Sequence, residues 1–556
     1  MMVPEVLLHA KTYERTTTVA LLFSSLSLAV LISSRWQRAS WSSWQALLGA
    51  VWSFRGHSRP AHSQQSSEHE DDAAEERVTH DLEDLLGEDA RPELLGTGEV
   101  RRRGRRQNEQ ASKDEDADLR QGHLPGTQRV YVQTHGCQHN QSDGEYMMGQ
   151  LQEYGYTLVD GIAECDVCVV NSCTVKTPSE ARGLSIVSEA RAAGKRVVLA
   201  GCVPSGDRSL ADKLKDVSML HVSQLDRIVD VVEEAVKGHT VTLLDRRSDL
   251  PSLALPRVRK DRLAETITIN AGCLGSCTYC KTKLARGHVV SYPIEEIIAR
   301  AQLAAEEGVR YIELASEDMG AYGVDIGTNI AELLLRLSDS LPAGVMLRTG
   351  MTNPPYMLQH IDGIIEALQR PNVFTFMHIP VQSGSDAVLH SMRREYTVAQ
   401  FSHLVDRLQA AMPEIYILTD IICGFPAESE DDWQATMALV NKYRFPGIYS
   451  SRFFARTGTP AMKMKQLNPK VIKARYQELV EFTQSLSEKN SQLQDREERV
   501  WFTSTESVRG QTVGRTKGYV KVIVERDDML LGRSALVKIE RTSVKHAEGR
   551  VVGGLL

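Results

Sequence analysis

Three cysteines, Cys273, Cys277 and Cys280, fall within the stretch Ala271-Gly-Cys-Leu-Gly-Ser-Cys-Thr-Tyr-Cys-Lys281, in the spacing C-x3-C-x2-C. Thiolates this close in sequence share one loop, and soft sulfur sets of this kind select iron–sulfur clusters or zinc. A structural zinc site takes four ligands, and no fourth Cys or His lies beside these three. An iron–sulfur cube is normally held by four cysteines. A loop that supplies three leaves one iron open to a substrate or cofactor, which points to a catalytic cluster rather than a purely electron-transferring one.

With an aromatic before its last cysteine, the loop resembles that of the radical S-adenosylmethionine (SAM) superfamily. The resemblance implies that Cys273, Cys277 and Cys280 bind a 4Fe–4S cluster and that the open iron binds SAM. It also implies that Tyr279 lies near the SAM adenine. Lys281 and Lys283 could neutralise a carboxylate or phosphate, although solvated lysines are the commoner finding.

At 556 residues the chain is too long for a single core and suggests several domains. Its formal net charge of −7 gives no global basic field, so any grip on nucleic acid must be local. Nine cysteines in a chain of this length do not make a secreted disulfide framework and favour a reducing compartment.

Ahead of the loop, strand-like runs alternate with helical stretches, which implies a parallel α/β sheet over about 127–245. Gln128–Thr134 runs into Gly136-Cys137, Asp166–Asn171 into Ser172-Cys173-Thr174, and Arg196–Ala200 into Gly201-Cys202. A helix is predicted over Ser142–Leu151 and another over Glu180–Ala193. Cys137, Cys173 and Cys202 therefore each sit just past the C-terminal end of a strand, the edge where parallel sheets bind ligands. Together they make a second three-cysteine cluster site. Cys165 and Cys168 mimic a C-x2-C motif, but Cys168 lies inside a valine-flanked strand and reads as packing, as does Cys423 in Ile421-Ile-Cys-Gly-Phe-Pro426.

These strand-end motifs, Gly136-Cys-Gln-His-Asn140, Asn171-Ser-Cys-Thr-Val175 and Ala200-Gly-Cys-Val-Pro204, resemble the N-terminal domain of the methylthiotransferases, a radical SAM family with two 4Fe–4S clusters. In that family the open iron of the second cluster carries the sulfur that is inserted.

Behind the loop, about 258–490 repeats strand–helix units: strands at Glu265–Asn270, Arg310–Ala315, Gly344–Arg348, Thr375–Pro380 and Ile415–Asp420, with helices at Ile294–Glu307, Asn329–Ser340, Val398–Ala411 and Ser429–Lys442. This is the period of a β/α barrel, and the superfamily resemblance implies a partial (β/α)6 barrel. Residues at barrel strand ends line active sites, so Glu317, Gln382, Arg394 and Asp420 are candidate catalytic contacts to SAM or the target base. Ser316-Glu-Asp-Met-Gly-Ala-Tyr-Gly323, Gly350-Met-Thr-Asn-Pro-Pro355 and Cys280-Lys-Thr-Lys-Leu-Ala-Arg-Gly287 resemble the eukaryotic and archaeal branch acting on threonylcarbamoyladenosine in tRNA. Action on isopentenyladenosine in tRNA, or a non-catalytic cluster-containing RNA-binding protein, are the alternatives. Ala427 stands where the family commonly has Gly after Phe-Pro.

From 495 to 556 the texture changes to short β-like runs, which suggest a small β-barrel in the position of the family's RNA-binding TRAM domain. Arg509, Arg515, Lys517, Lys521, Arg533, Lys538, Arg541 and Lys545 outnumber the local acids and support phosphate contacts.

At the other end, Val19–Ser34 is a long uncharged apolar run that, extended back to Thr16, approaches the length of a spanning helix. Arg35, Arg38, Arg55 and Arg59 follow it with no acid before Glu68, which places the body of the chain on the cytosolic side. Residues 1–56 thus read as a signal anchor at the endoplasmic reticulum, with a cleaved targeting peptide (mitochondrion or plastid) or an interfacial helix as alternatives. Residues 57–126 are polar and acidic and read as disordered linker; within them Arg101–Arg106 reads as a solvated charge run. The resemblance implies as partners a tRNA carrying threonylcarbamoyladenosine and an electron donor of the flavodoxin-like or ferredoxin-like reductase type.

Overall fold

The computed structural model describes residues 126–175, 177–505 and 510–556. The apolar run at 16–34, the linker with Arg101–Arg106, and Arg509 lie outside the described residues. Among the described residues no helix is long and apolar enough to cross a membrane.

The first part is a six-stranded sheet in the order β2-β1-β3-β4-β5-β6, formed by Arg129–Thr134 (β1), Thr157–Val159 (β2), Val167–Ser172 (β3), Arg196–Gly201 (β4), Ser218–His221 (β5) and Thr242–Leu243 (β6). Every pairing is parallel. The central β3 is buried at all six positions, as a strand covered on both faces must be. Helices α1 (Gln138–Tyr154) and α4 (Ile228–Val236) pack one face through Met147, Leu151, Val231 and Val232. Helix α2 (Thr177–Ala192) packs the other with Val187 and Ala190, where Cys165 and Cys168 are buried as core thiols. Between α2 and α4, the short α3 (Cys202–Gly206) follows β4 directly. The strand order reverses between β1 and β3, which opens a crevice at their carboxyl ends.

The first helix starts at Gln138, not at Ser142 as its polar lead-in suggests. Cys137 is its N-cap, and Asn140 is in the first turn, where its amide donates to His135 O at 2.8 Å. The Asn-Gln-Ser-Asp-Gly run is thus helical because its side chains find partners in the neighbouring parts of the fold.

The second part has six parallel strands in chain order: Ala264–Thr268 (β7), Tyr311–Ala315 (β10), Met346–Arg348 (β11), Phe376–His378 (β12), Tyr416–Cys423 (β13) and Gly447–Arg452 (β14). The halves β7-β10-β11 and β12-β13-β14 join through backbone bonds such as Phe374 N to Leu347 O (2.8 Å) and Thr352 N to His378 O (2.9 Å). Among the described residues β7 and β14 form no ladder, so the barrel is open on that side. Between β7 and β10, Asn270–Ala271 (β8) and Val290–Ser291 (β9) form a short ribbon at the base of the cysteine loop. The sixth strand, Gly447–Arg452, escaped the sequence reading because its Tyr-Ser-Ser centre is partly exposed and carries no apolar run. Outer helices include Val398–Ala411 and Glu430–Tyr443, started by capping boxes at Thr397/Gln400 and Ser429/Asp432.

The third part is a closed barrel in the order β15-β16-β17-β19-β18, from Glu497–Thr505 (β15), Thr512–Thr516 (β16), Lys521–Val524 (β17), Ser534–Thr542 (β18) and Ala547–Gly553 (β19). The turn between β16 and β17 drives Tyr519, at φ 65°, into an aromatic cluster with Phe374 and Phe376, at ring separations of 5.3 and 4.6 Å. Tyr519 OH also meets Tyr311 OH at 2.8 Å. Lys517 is not the phosphate contact its charge suggested. Its ammonium donates to the carbonyls of Leu368 (3.1 Å), Arg370 (2.7 Å) and Val373, following the helix Ile361–Gln369, where a cation complements the helix dipole. Lys538 likewise donates to Asp495 O, and Arg541 pairs with Glu548.

Candidate active site

Cys137, Cys173 and Cys202 follow β1, β3 and β4 and meet at the crevice of the first sheet. Close approach demands glycine at two points. A Cβ on Gly136 (φ 131°) would sit 2.3 Å from Cys173 Cβ, and one on Gly201 (φ 90°) would sit 2.5 Å from Asn171 Oδ1. The Cys173 thiol donates to the Cys137 sulfur, which holds Cys137 low, to about 6, and Cys173 well above the usual thiol range. Val175 N donates to Cys173 Sγ at 3.4 Å, and Cys202 Sγ lies 3.8 Å from Asn140 Oδ1.

Cys273, Cys277 and Cys280 stand on the loop after β7. Its base is fixed by Cys273 N donating to Gly287 O (3.0 Å), and its tip by Thr278 N donating to Met392 O (3.0 Å) and Thr278 Oγ1 to Ser391 O (3.1 Å). A Cβ at Gly275 would lie 3.6 and 3.7 Å from the Cys273 and Cys277 sulfurs, so glycine keeps the space between them open. Thr282 N donates to Cys280 Sγ at 3.3 Å and Arg394 Nη1 to Cys277 Sγ at 3.2 Å. Burial pushes Cys202 and Cys273 up to about 12. Neither is a ready nucleophile, and a metal's charge is what would hold such thiols as thiolates. Among the described residues no three Cys, His, Asp or Glu side chains converge on a single metal ion. Sulfurs set around a glycine-lined space and receiving N–H donors fit the corners of an iron–sulfur cube instead.

Both triads open on one cavity of about 1430 Å³. Five of the six cysteines line it; Cys173 lies just behind Cys137. Tyr279, Glu317, Gln382, Arg394 and Asp420 line it too, so every residue singled out from the barrel is brought to this space.

Their roles there differ. Glu317 is keyed into the seam between the first sheet and the barrel: Oε1 lies 2.7 Å from His139 Nδ1, out of line for a hydrogen bond, and 3.0 Å from Arg286 Nε, while Oε2 accepts from Gly272 N at 3.0 Å. Burial opposes its charge, but His139 and Arg286 outweigh it and hold the carboxyl below the usual range. Arg394 is spent on Cys277, Asn353 and Tyr396 OH. Asp420 Oδ1 accepts from His378 Nε2 at 2.8 Å, and it lies within β13, since that strand runs on to Cys423. Gln382 holds a left-handed φ of 70°, with its N–H on Asp420 O at 2.8 Å; among the described residues nothing hydrogen-bonds its side chain. Such strain in a non-glycine residue is typical of functional sites. Tyr279 packs edge-on to Phe425 at 6.2 Å.

The two lysines after the loop are not solvated. Lys281 is 2% exposed and pairs with Glu180 at 3.2 Å, and Lys283 donates to Leu274 O at 2.8 Å. Arg286, His139 and Arg456 were missed as seam residues. Arg286 sits within the quoted Cys280–Gly287 motif and His139 within Gly136–Asn140, but nothing local in either motif says that they bridge two domains. Arg456 donates to the carbonyls of Thr174 and Val175, both at 2.5 Å, tying the last strand's loop to Cys173's loop. Arg348 pairs with Glu313 and lies over Phe376 and Tyr519 at 4.4 and 5.0 Å.

The profile described as the Radical SAM superfamily matches residues 267–440, and that described as uncharacterized protein family UPF0004 matches 129–221. The chain is 42% identical over 483 residues to the threonylcarbamoyladenosine tRNA methylthiotransferase of Homo sapiens, covering 85% of this chain and 83% of that protein. It is 45% identical to the Danio rerio protein of the same name, covering 77% and 79%, and 46% identical to the one from Drosophila melanogaster, covering 77% and 78%. With both halves of the site matched by family profiles and most of each relative covered, the chain belongs to the threonylcarbamoyladenosine tRNA methylthiotransferases, within the radical SAM superfamily.

Proposed function

We propose that this protein methylthiolates N6-threonylcarbamoyladenosine in tRNA at adenine C2 of the base 3′ to the anticodon, using SAM and two 4Fe–4S clusters. The observation that carries this reading is the single cavity on which both cysteine triads open, walled by all three parts of the chain. Cys273, Cys277 and Cys280 are the ligands we assign to the cluster that binds SAM, and Cys137, Cys173 and Cys202 those of the second cluster. When bound, the first would supply the electron that cleaves SAM and the second the sulfur, with a second SAM giving the methyl group.

The chain's own groups hold and shape this chamber. Arg394 fixes the Cys277 sulfur, and Glu317 fixes the entry to the loop through Gly272 N. Arg286 and Arg456 bind the first sheet to the barrel mouth, so the two triads face one space. Gln382 and the His378–Asp420 pair present polar groups along the wall where a base splayed out of the anticodon loop must lie.

We divide the chain into an anchor or targeting segment (1–56), a linker (57–126), the second-cluster domain (127–245), the radical SAM core (258–490) and an RNA-binding barrel (495–556). Membrane attachment through residues 16–34 at the cytosolic face of the endoplasmic reticulum, and a flavodoxin-like or ferredoxin-like electron donor, complete the proposal.

The test is mass spectrometry of nucleosides from tRNA treated with the reconstituted protein, SAM, sulfide and dithionite. Formation of the methylthio form of threonylcarbamoyladenosine supports the reading. Product from isopentenyladenosine tRNA alone, or iron loading without SAM cleavage, overturns it.

A further inference from the structure

We propose that Arg515 binds the carboxylate of the threonylcarbamoyl group on the target base and so sets which modified adenosine the enzyme accepts. This rests on the function proposed above and adds the group that recognises the modification.

Arg515 lies on β16 directly opposite Lys521 on β17. Both line the cavity on which the cysteine triads open. Among the described residues no carboxylate forms an ion pair with Arg515. The other half-buried or buried arginines at this cavity are occupied: Arg348 by Glu313, Arg286 by Asp143 and Glu317, Arg394 by Cys277 and Asn353, and Arg456 by the carbonyls of Thr174 and Val175. Arg393 and Arg452 are exposed, where water compensates a charge. Arg515 is half-buried on this wall and, among the described residues, has no anion.

Its guanidinium is nevertheless held in place. It lies over the Tyr519 ring at 4.6 Å and donates one N–H from Nη1 to Tyr519 O at 3.4 Å. Tyr519 is itself locked into the barrel by Tyr311 OH at 2.8 Å and by the rings of Phe374 and Phe376. A planar fork fixed against an aromatic face, with most of its donors directed elsewhere, suits an anion with two coplanar oxygens. A substrate adenosine placed between the triads brings one such group that unmodified or isopentenylated adenosine lacks, its threonyl carboxylate.

The same cation chemistry could serve a backbone phosphate, and binding measurements separate the two. The full-length reconstituted protein is titrated with tRNA bearing threonylcarbamoyladenosine and with the same tRNA whose threonyl carboxylate has been converted to a neutral amide. The wild type should bind the carboxylate form more tightly, by on the order of tenfold to a hundredfold, the worth of a charged hydrogen bond. Arg515→Gln should lose that preference while binding the amide form as the wild type does, and Arg515→Lys, which keeps the charge and secures against misfolding of the Gln variant, should retain part of it. Equal weakening of both tRNAs, with a salt slope reduced by about one, assigns Arg515 to a phosphate and overturns the proposal. So does an unchanged preference in Arg515→Gln. Failure of the wild type to form any methylthio product is a separate result that strikes the proposed function and leaves the binding comparison readable.

Discussion

Arg286 Nη2 and Asp143 Oδ2 meet 2.5 Å apart across the seam between the first sheet and the barrel, both side chains less than 10% exposed. Arg286 also reaches Glu317 at 3.0 Å and Asn140 Oδ1 at 3.3 Å, so one guanidinium touches a residue beside the Cys202 sulfur and a residue that holds the Cys273 loop. Burying charge is costly, and removing one member of such a set strands the rest. Arg286→Met should therefore lower stability by about 3–5 kcal/mol, read as a fall in the denaturation midpoint. In whatever fraction stays folded, more 5′-deoxyadenosine should be released per methylthio product, because the two triads are no longer held in register. An unchanged midpoint would show that the seam is held by its other contacts.

Gly149 makes a second test of that seam. It lies inside α1, where glycine is otherwise unfavourable. A Cβ there would fall 2.2 Å from Pro256 O and 2.3 Å from Arg257 N, in the segment crossing from the sheet to the barrel. Gly149→Ala should gain helix propensity yet lose about 1–3 kcal/mol net to overpacking. Urea unfolding followed by circular dichroism gives the sign directly.

Ala427 works in the opposite direction. It is exposed with φ 69°, a conformation that costs a Cβ-bearing residue about 1–2 kcal/mol and glycine almost nothing. Glycine's greater freedom in the unfolded chain returns part of the difference. Ala427→Gly should stabilise by roughly 0.5–1 kcal/mol, with SAM cleavage unchanged. A lower midpoint in the variant would mean that the turn does not require the left-handed conformation.

What could be read from the chain and what could not divide along a physical line. The cysteine sets, the strand ends that carry them and the closed C-terminal barrel follow from local signals: spacing, apolar runs and turn residues. The bonds that turn these parts into one site do not. Lys281 reads as a solvated lysine until Glu180, about a hundred residues earlier, is seen against it at 3.2 Å. Lys517 reads as a phosphate ligand until its ammonium is found on barrel carbonyls. Sequence alone starts α1 too late because the partners of Asn140 and Asp143 come from other segments, and polar side chains without visible partners look like a loop. Domain docking is a property of matched surfaces, which a one-dimensional pattern does not display.

His221 gives a pH prediction with a definite sign. It is 3% exposed, and burial, then Arg208, Arg246 and Arg286, press it down to about 4, so it is neutral in the folded state. Its Nδ1 accepts from Ser223 N at 3.0 Å, a bond available only to the neutral ring. The folded pKa lies below the unfolded value of about 6.5, so the unfolded chain binds the proton first. The stability tied to the neutral ring is complete above the unfolded pKa and is lost as pH falls toward 4. Between pH 7 and 5 the wild type should lose about 1–2 kcal/mol more than His221→Gln. Parallel pH dependence in the two proteins would place the acid sensitivity elsewhere.

The division of labour between the triads is open to a direct comparison of Cys273→Ala with Cys173→Ala. Cys273 lines the cavity on the loop held by Arg394 and Glu317, whereas Cys173 lies behind Cys137 with its sulfur receiving Val175 N. If each triad holds one cube, either variant should fall from about eight irons per chain to about four. Cys273→Ala should lose SAM cleavage and, with it, all product. Cys173→Ala should still cleave SAM under dithionite and yield 5′-deoxyadenosine, but no methylthio nucleoside. Iron counting before the assay separates a lost cluster from a misfolded chain, in which both cubes would go together. Identical behaviour of the two variants, with four irons retained in each, would mean that the clusters do not split cleavage from sulfur insertion as their places in the cavity suggest.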